Sequence, residues 1–254
     1  MSTPHLQSDA FRDTDVVRHG FFGRRGGVSG GEQSSLNVSF AVGDDEANAT
    51  ANRAIVADAM AGGPLVILKQ VHSCRVVTVE AGAVPDGSVE GDGLVTRRAD
   101  VLLGILTADC APLLFVDPHA GVIGAAHAGW KGAVGGIIEN VLEAMEALGA
   151  QRRRTLLDIG PTISGGNYEV GPDFMAEALA INLLAADAFS TPAGGREHFD
   201  LPRFLHNDAM RAGLTAVDMR NACTYADPET YFSHRYATHH GARTGRQVSV
   251  IGLA

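Results

Sequence analysis

The sequence predicts an α/β protein, α+β-like in its ordering, whose sheets mix parallel and antiparallel strands. Three observations carry this. Strand-like and helix-like runs alternate irregularly, which argues against a doubly wound parallel sheet. Two apolar runs, 101–116 and 122–126, flank the turn-forming DPHAG at 117–121 and should pair as a hairpin. No Pro-rich or Ser-rich linker and no run of like charge divides the 254 residues, so 17–254 reads as a single domain behind a flexible N-terminus, 1–16.

The first apolar run, 17–22, leads into GRRGGVSGGEQSSLNVSF, where five glycines between 23 and 31 suit a loop that brings backbone close to a neighbour. Residues 45–60 have helical spacing, with Ala54, Ile55, Ala57 and Ala61 as the expected apolar face. Runs 65–68 and 76–79 are β-type and leave His72 between them, near a strand end. After the hairpin, Gly129 to Gly132 turns into a helix expected over 133–148, with Val134, Ile137, Ile138, Val141, Leu142 and Met145 inward. A strand at 156–159, helices at 173–184 and 202–214, a loop-like stretch containing Arg235 and a closing strand at 248–253 complete the order. The Arg152–Arg154 cluster reads as a solvated helix-to-strand connection.

Composition narrows the function classes. Hydrophobic residues make up 45% and charged ones 19%, which supports a full core. Twenty Lys and Arg against 29 Asp and Glu give a net charge of −9, which repels a nucleic-acid backbone. No charge-free apolar run reaches the ~18 residues of a membrane-spanning helix, so neither nucleic acid nor membrane is an expected partner. The polar opening MSTPHLQSDAFRDTD lacks the basic start and apolar stretch of a secretory signal, which points to the cytoplasm. Cys74, Cys110 and Cys223 form no CxxC pair, so each is expected as a buried thiol, a ligand or a nucleophile.

The hairpin carries the chemistry. With its turn centred on His119, residues whose numbers sum to about 238 oppose one another, which sets Cys110 within a residue of facing His127 or Ala128. Facing side chains lie roughly 5 Å apart, close enough to share an ion or a proton. Asp109 puts a carboxylate into an apolar strand, where burial without a partner costs several kcal/mol. It is therefore a candidate for orienting a ligand or moving a proton.

KQVHS at 69–73, GDGLVT at 91–96, TADCAPLLFVD at 107–117, HAGWKG at 127–132, IGPTI at 159–163, YEVG at 168–171, FSHR at 232–235 and GRQ at 245–247 occur in that order. Together with RRGGVS, LNVSF and the pair Asn52 and Arg53, they resemble the YfiH family, whose members also carry laccase-domain and polyphenol-oxidase labels. The resemblance runs from His19 to the C-terminus. It implies stacked mixed β-sheets with helices outside, in a single domain of the cysteine-hydrolase-like type. It also implies zinc held by His72, Cys110 and His127, with purine nucleoside phosphorylase activity on adenosine, inosine and methylthioadenosine and adenosine deamination at the same site. Purine nucleosides and phosphate are then the partners, and the expected state is a monomer or weak dimer.

Two imidazoles and a thiolate leave a tetrahedral zinc one open position, the mark of a catalytic rather than a structural or merely sequestered ion. Those three residues, with Asp109, form the expected catalytic set. Arg24, Arg53 and Arg235 are the candidates for phosphate or ribose contacts, with Asn37 as a hydrogen-bonding partner. Copper oxidase chemistry would need H-x-H pairs, which the ten histidines lack, so zinc is expected rather than copper. The alternative is a metal-free hydrolase with Cys110 as nucleophile and His127 as base, an amidase in peptidoglycan-precursor editing.

Overall fold

The structure, a computed structural model, describes residues 3–254. β1 (His5–Leu6), α1 (Asp9–Arg12) and β2 (Val17–Phe22) come first, then α2 (Glu46–Ala59), β3 (Leu65–Val66), β4 (Val76–Thr78) and β5 (Gly93–Thr96). β6 (Leu102–Thr107), β7 (Ala111–Asp117) and β8 (Val122–Ala128) lead into α3 (Trp130–Val134) and α4 (Ile137–Ala147). β9 (Leu156–Ile159), α5 (Phe174–Ile181) and the small pair β10 (Phe189–Ser190) and β11 (His198–Phe199) follow. The chain closes with α6 (Leu201–Arg211), β12 (Ala216–Met219), α7 (His234–His239) and β13 (Gln247–Leu253).

Two mixed sheets stack face to face, one ordered β1-β2-β13-β6-β3 and the other β12-β9-β7-β8-β5-β4. Successive strand residues point to opposite faces, so each strand serves two layers. From the second sheet, Leu114, Val116, Ile123 and Ala125 meet Leu103, Ile105 and Ile251 of the first. Its other face, with Leu113, Phe115 and Ala126, is covered by Ile138, Val141 and Met145 of α4 and Phe204 of α6. On the far side, Val56 of α2 packs with Leu102, Val248 and Val250 of the first sheet. The result is a helix, sheet, sheet, helix sandwich, the stacked mixed sheets with outer helices that the resemblance implies. Each fully buried aliphatic side chain contributes roughly 2 kcal/mol of transfer free energy. β7, β8 and β13 are buried at every residue because both their faces are covered.

That double coverage hides a break. The run 101–116 is two strands: β6 belongs to the first sheet and β7 to the second, and the chain crosses at 108–110, where Asp109 takes φ +85°. The hairpin forms with Pro112 opposite His127 and Ala111 opposite Ala128. Cys110 therefore lies one step beyond the ladder, within a residue of facing Ala128 as the spacing predicts.

Other elements also differ from expectation. The helix over 133–148 is interrupted at Gly135 and Gly136, the latter at φ +94°, where a right-handed helix cannot continue. The buried face of α2 is Ala49, Asn52 and Val56, while Ala54 and Ala61 are exposed. Arg235 belongs to a short helix, α7, whose N-cap Ser233 accepts from the Tyr236 N–H. The N-terminus expected to be flexible is packed from His5 onward: His5 and Leu6 pair with Phe22 and Phe21, and Phe11 is fully buried. Residues 1–2 of that expectation lie outside the described region.

Candidate metal centre

The chain passes twice from the first sheet to the second at one end of the sandwich. The connection from β3 to β4 carries His72, and the connection from β6 to β7 carries Cys110. His127 is the penultimate residue of β8. Both crossings use left-handed backbone, at His72 (φ +59°) and Asp109 (φ +85°). A residue with a Cβ gives up about 1–2 kcal/mol there, so other contacts must hold both turns.

The ligand atoms of exposed His72, half-buried Cys110 and buried His127 lie within 4.8 Å of one another. The two imidazoles stand edge to face, ring centroids 4.7 Å apart. Asp92, which sequence reasoning missed, joins them from below. It is 1% exposed, and its Oδ1 lies 2.8 Å from Nδ1 of His127, which leaves Nε2 of that ring for a metal. The same carboxylate accepts from the backbone N–H groups of Val71, His72 and Ser73 and from the Ser73 hydroxyl. A signal was present: Asp92 sits in GDGLVT directly before an apolar strand, the same oddity that singled out Asp109.

These contacts set the charges. Burial would raise Asp92, but the hydrogen bonds from His127 and Ser73 bring it down to about 2. Burial works against a charged His127 as well, yet Cys110 and Asp92 beside it hold it up to about 9. His72 is held below its ordinary value by burial and by the neighbouring His127. In the metal-free protein both neighbours favour the protonated ring, and a metal at Nε2 competes with that proton.

The residues present fit a small thiophilic ion. Two imidazoles and a thiol are zinc donors, and their convergence allows metal–ligand bonds of ~2.0–2.3 Å. Gly129 leaves the space open: a Cβ there would stand 2.5 Å from Nδ1 of His72 and 3.2 Å from Sγ of Cys110.

A cavity of ≈ 700 Å³ opens onto the three ligands and is bordered by Phe40, Arg53, Gln70, Thr107, His234 and Arg246. Arg53 donates from Nε to the Val38 carbonyl, and its guanidinium lies 4.0 Å from the centre of the Phe40 ring. Arg246, also missed in the sequence, donates from one terminal nitrogen to the Gly245 carbonyl. A smaller lobe of ≈ 160 Å³ continues past Cys110 and is bordered by Tyr168, His234 and Arg235. Arg235 donates to the Glu169 carbonyl at 2.8 Å, with its guanidinium over Tyr168.

Of the remaining expected site residues, Asn37 and Arg24 are not brought to the cavity. Asn37 is fully buried; it donates to Ser39 O and Asp44, and accepts from the Ser39 and Arg246 N–H groups. It braces the cavity wall from behind. Arg24 spends its guanidinium on the carbonyls of Ser34, Glu32 and Pro228. Asp109 borders the smaller lobe, but its carboxylate oxygens accept from the Thr224 hydroxyl and the Arg235 N–H, both at 2.6 Å. That geometry makes it a tie between the Cys110 turn and α7.

A two-sheet α/β domain with one His–Cys–His centre at the edge of an arginine-lined cavity is the class that this fold and site define. The chain belongs to the family described as multi-copper polyphenol oxidoreductase laccase, whose pattern matches residues 18–254. It is 41% identical to a purine nucleoside phosphorylase of Deinococcus radiodurans, over 94% of this chain and 90% of that one. It is 39% identical to a purine nucleoside phosphorylase of Mycobacterium tuberculosis, over 99% and 98%. Among solved structures, YlmD from Geobacillus stearothermophilus matches with a TM-score of 0.87 at 28% identity, covering 98% of both chains. The hypothetical protein YfiH from Bacillus licheniformis matches with a TM-score of 0.85 at 30% identity, covering 94% of this chain and 93% of that one.

Proposed function

We propose that the protein is a zinc-dependent purine nucleoside phosphorylase acting on adenosine, inosine and methylthioadenosine, and that it deaminates adenosine at the same centre. One observation carries this reading: a single cavity joins the His72, Cys110 and His127 cluster to two arginines, Arg53 and Arg246, each with terminal N–H groups free of partners among the described residues. The relatives' names supply the substrate class. Two imidazoles and a thiolate suit zinc, whereas copper clusters need paired histidines. When bound, zinc supplies Lewis-acid polarisation at its open coordination position.

In phosphorolysis a phosphate oxygen bonds to the ribose C1′ as the C1′–N9 bond breaks, and the electron pair leaves on the purine, which takes up a proton. Arg53 and Arg246 hold the phosphate. His234, which borders both lobes, is the candidate for the proton. Each lost charged hydrogen bond is worth about 1.5–3 kcal/mol, so Arg53→Ala and Arg246→Ala should each raise the phosphate KM roughly 10- to 100-fold. Zinc content should not change. A phosphate KM unaltered in both variants would remove these arginines from the site.

The closeness of Cys110 and His127, whose side-chain S and N atoms lie within 4.8 Å of each other, supports a second reading, a metal-free hydrolase with Cys110 as nucleophile and His127 as base. Such an enzyme, an amidase on a peptidoglycan precursor, has no use for phosphate. Incubating inosine with the protein in the presence and absence of phosphate separates the two. Release of hypoxanthine and ribose 1-phosphate only with phosphate supports the phosphorylase; amide cleavage by metal-free protein that ignores inosine supports the hydrolase.

A further inference from the structure

Two of the three metal ligands depend on one carboxylate. The N–H groups of Val71, His72 and Ser73 converge on Asp92 at 3.2, 3.1 and 2.7 Å, and the Ser73 hydroxyl joins them at 2.8 Å. Successive backbone N–H groups around a left-handed residue form a concavity that binds an anion. Here the left-handed residue is His72 itself, and the anion is the chain's own Asp92. From the other side His127 donates its ring Nδ1–H to Oδ1 at 2.8 Å, while its backbone N–H donates to the Asp92 carbonyl at 2.7 Å.

All five side-chain contacts of Asp92 are donors, so only an acceptor with two free oxygens satisfies them. An amide would turn an NH2 group toward a backbone N–H or the imidazole N–H and leave buried donors unpaired. We propose that Asp92 is the positioning residue of the metal centre, fixing the ring orientation of His127 and folding the loop that aims His72, so that its carboxylate sets metal affinity and ligand geometry together. This rests on the metal-centre reading above.

The test compares zinc affinity, measured by chelator competition, in the wild type and in Asp92→Asn. Partners that orient metal ligands typically contribute 10- to 100-fold, and because this one serves two ligands the loss should lie at or above the upper end. Ser73→Ala, which removes one hydroxyl contact and spares both histidines' bonds, should lose only a few-fold. Cobalt-loaded Asp92→Asn should show altered visible absorption bands, which a purely structural brace would not move once the site is saturated. Wild-type protein that binds no zinc overturns the metal-centre reading. Wild-type protein that binds zinc, with Asp92→Asn binding equally tightly and an unchanged cobalt spectrum, overturns the role of Asp92 alone. Should Asp92→Asn fail to fold, Ser73→Ala together with the ring-nitrogen shifts of His127 in wild-type zinc protein decide: metal on Nε2 and a proton on Nδ1 support the proposal, and the reverse overturns it.

Discussion

Gly129 sets the sharpest condition on the metal centre. Its backbone is extended, with φ −72° and ψ 169°, which alanine adopts without strain. The added methyl would still stand 2.5 Å from His72 Nδ1 and crowd Cys110. Gly129→Ala should therefore lose most bound zinc while its unfolding midpoint in metal-free form stays near that of the wild type. Metal analysis beside a thermal melt checks this, with Cys74→Ser and Cys223→Ser as controls that keep their zinc; a variant retaining full zinc would mean the ion sits elsewhere. His72, Cys110 and His127 were legible in the sequence because each lies in a short dense motif. Asp92 was harder to read, since its partners are 20 and 35 residues away and meet it only through sheet crossings. Asn37 and Arg24 misled for a simpler reason: a polar side chain in a motif can be there to tie backbone, and only its partners tell the difference.

Among the elements, the N-terminal segment departs furthest from expectation. A polar stretch with few apolar residues gave no sign of packing, yet Phe11 is buried and the Ser8 N–H donates to Nε2 of His19 at 2.7 Å. That bond needs an unprotonated Nε2. Burial, with His5 and Arg12 adding to it, pushes His19 from 6.5 down to about 4. Between those values the unfolded chain binds the proton and the native state does not, so stability falls as pH drops through the window and levels off below it. The gap is worth about 3 kcal/mol at most. His19→Gln can still accept from Ser8 without titrating, so the loss of stability from about pH 7 to about pH 4.5 in urea melts should be clearly smaller in the variant than in the wild type. Equal losses would show that His19 stays unlinked to folding. The broken helix at Gly136 was likewise invisible, because an apolar face at helical spacing continues through the break from Val134 to Met145.

The whole molecule owes its site to its topology. Hydrophobic patterning identified β2, β3, β4, β8, β9, β13 and the hairpin, but it read β6 and β7 as one run and passed over β1, β5, β10, β11 and β12. Strands buried on both faces carry no mark of which sheet they join. The two crossings that deliver His72 and Cys110 therefore emerge only in three dimensions, as does the arginine-lined cavity beside them. The proposed function makes one central claim, that purine nucleosides are cleaved by phosphate at a zinc held by His72, Cys110 and His127. The most direct measurement is a zinc titration into metal-free protein with inosine and phosphate present, following hypoxanthine. Turnover should rise from near zero and stop rising at one zinc per chain, and Cys110→Ala should stay flat throughout. Full turnover by the metal-free protein, or undiminished turnover by Cys110→Ala, would contradict it.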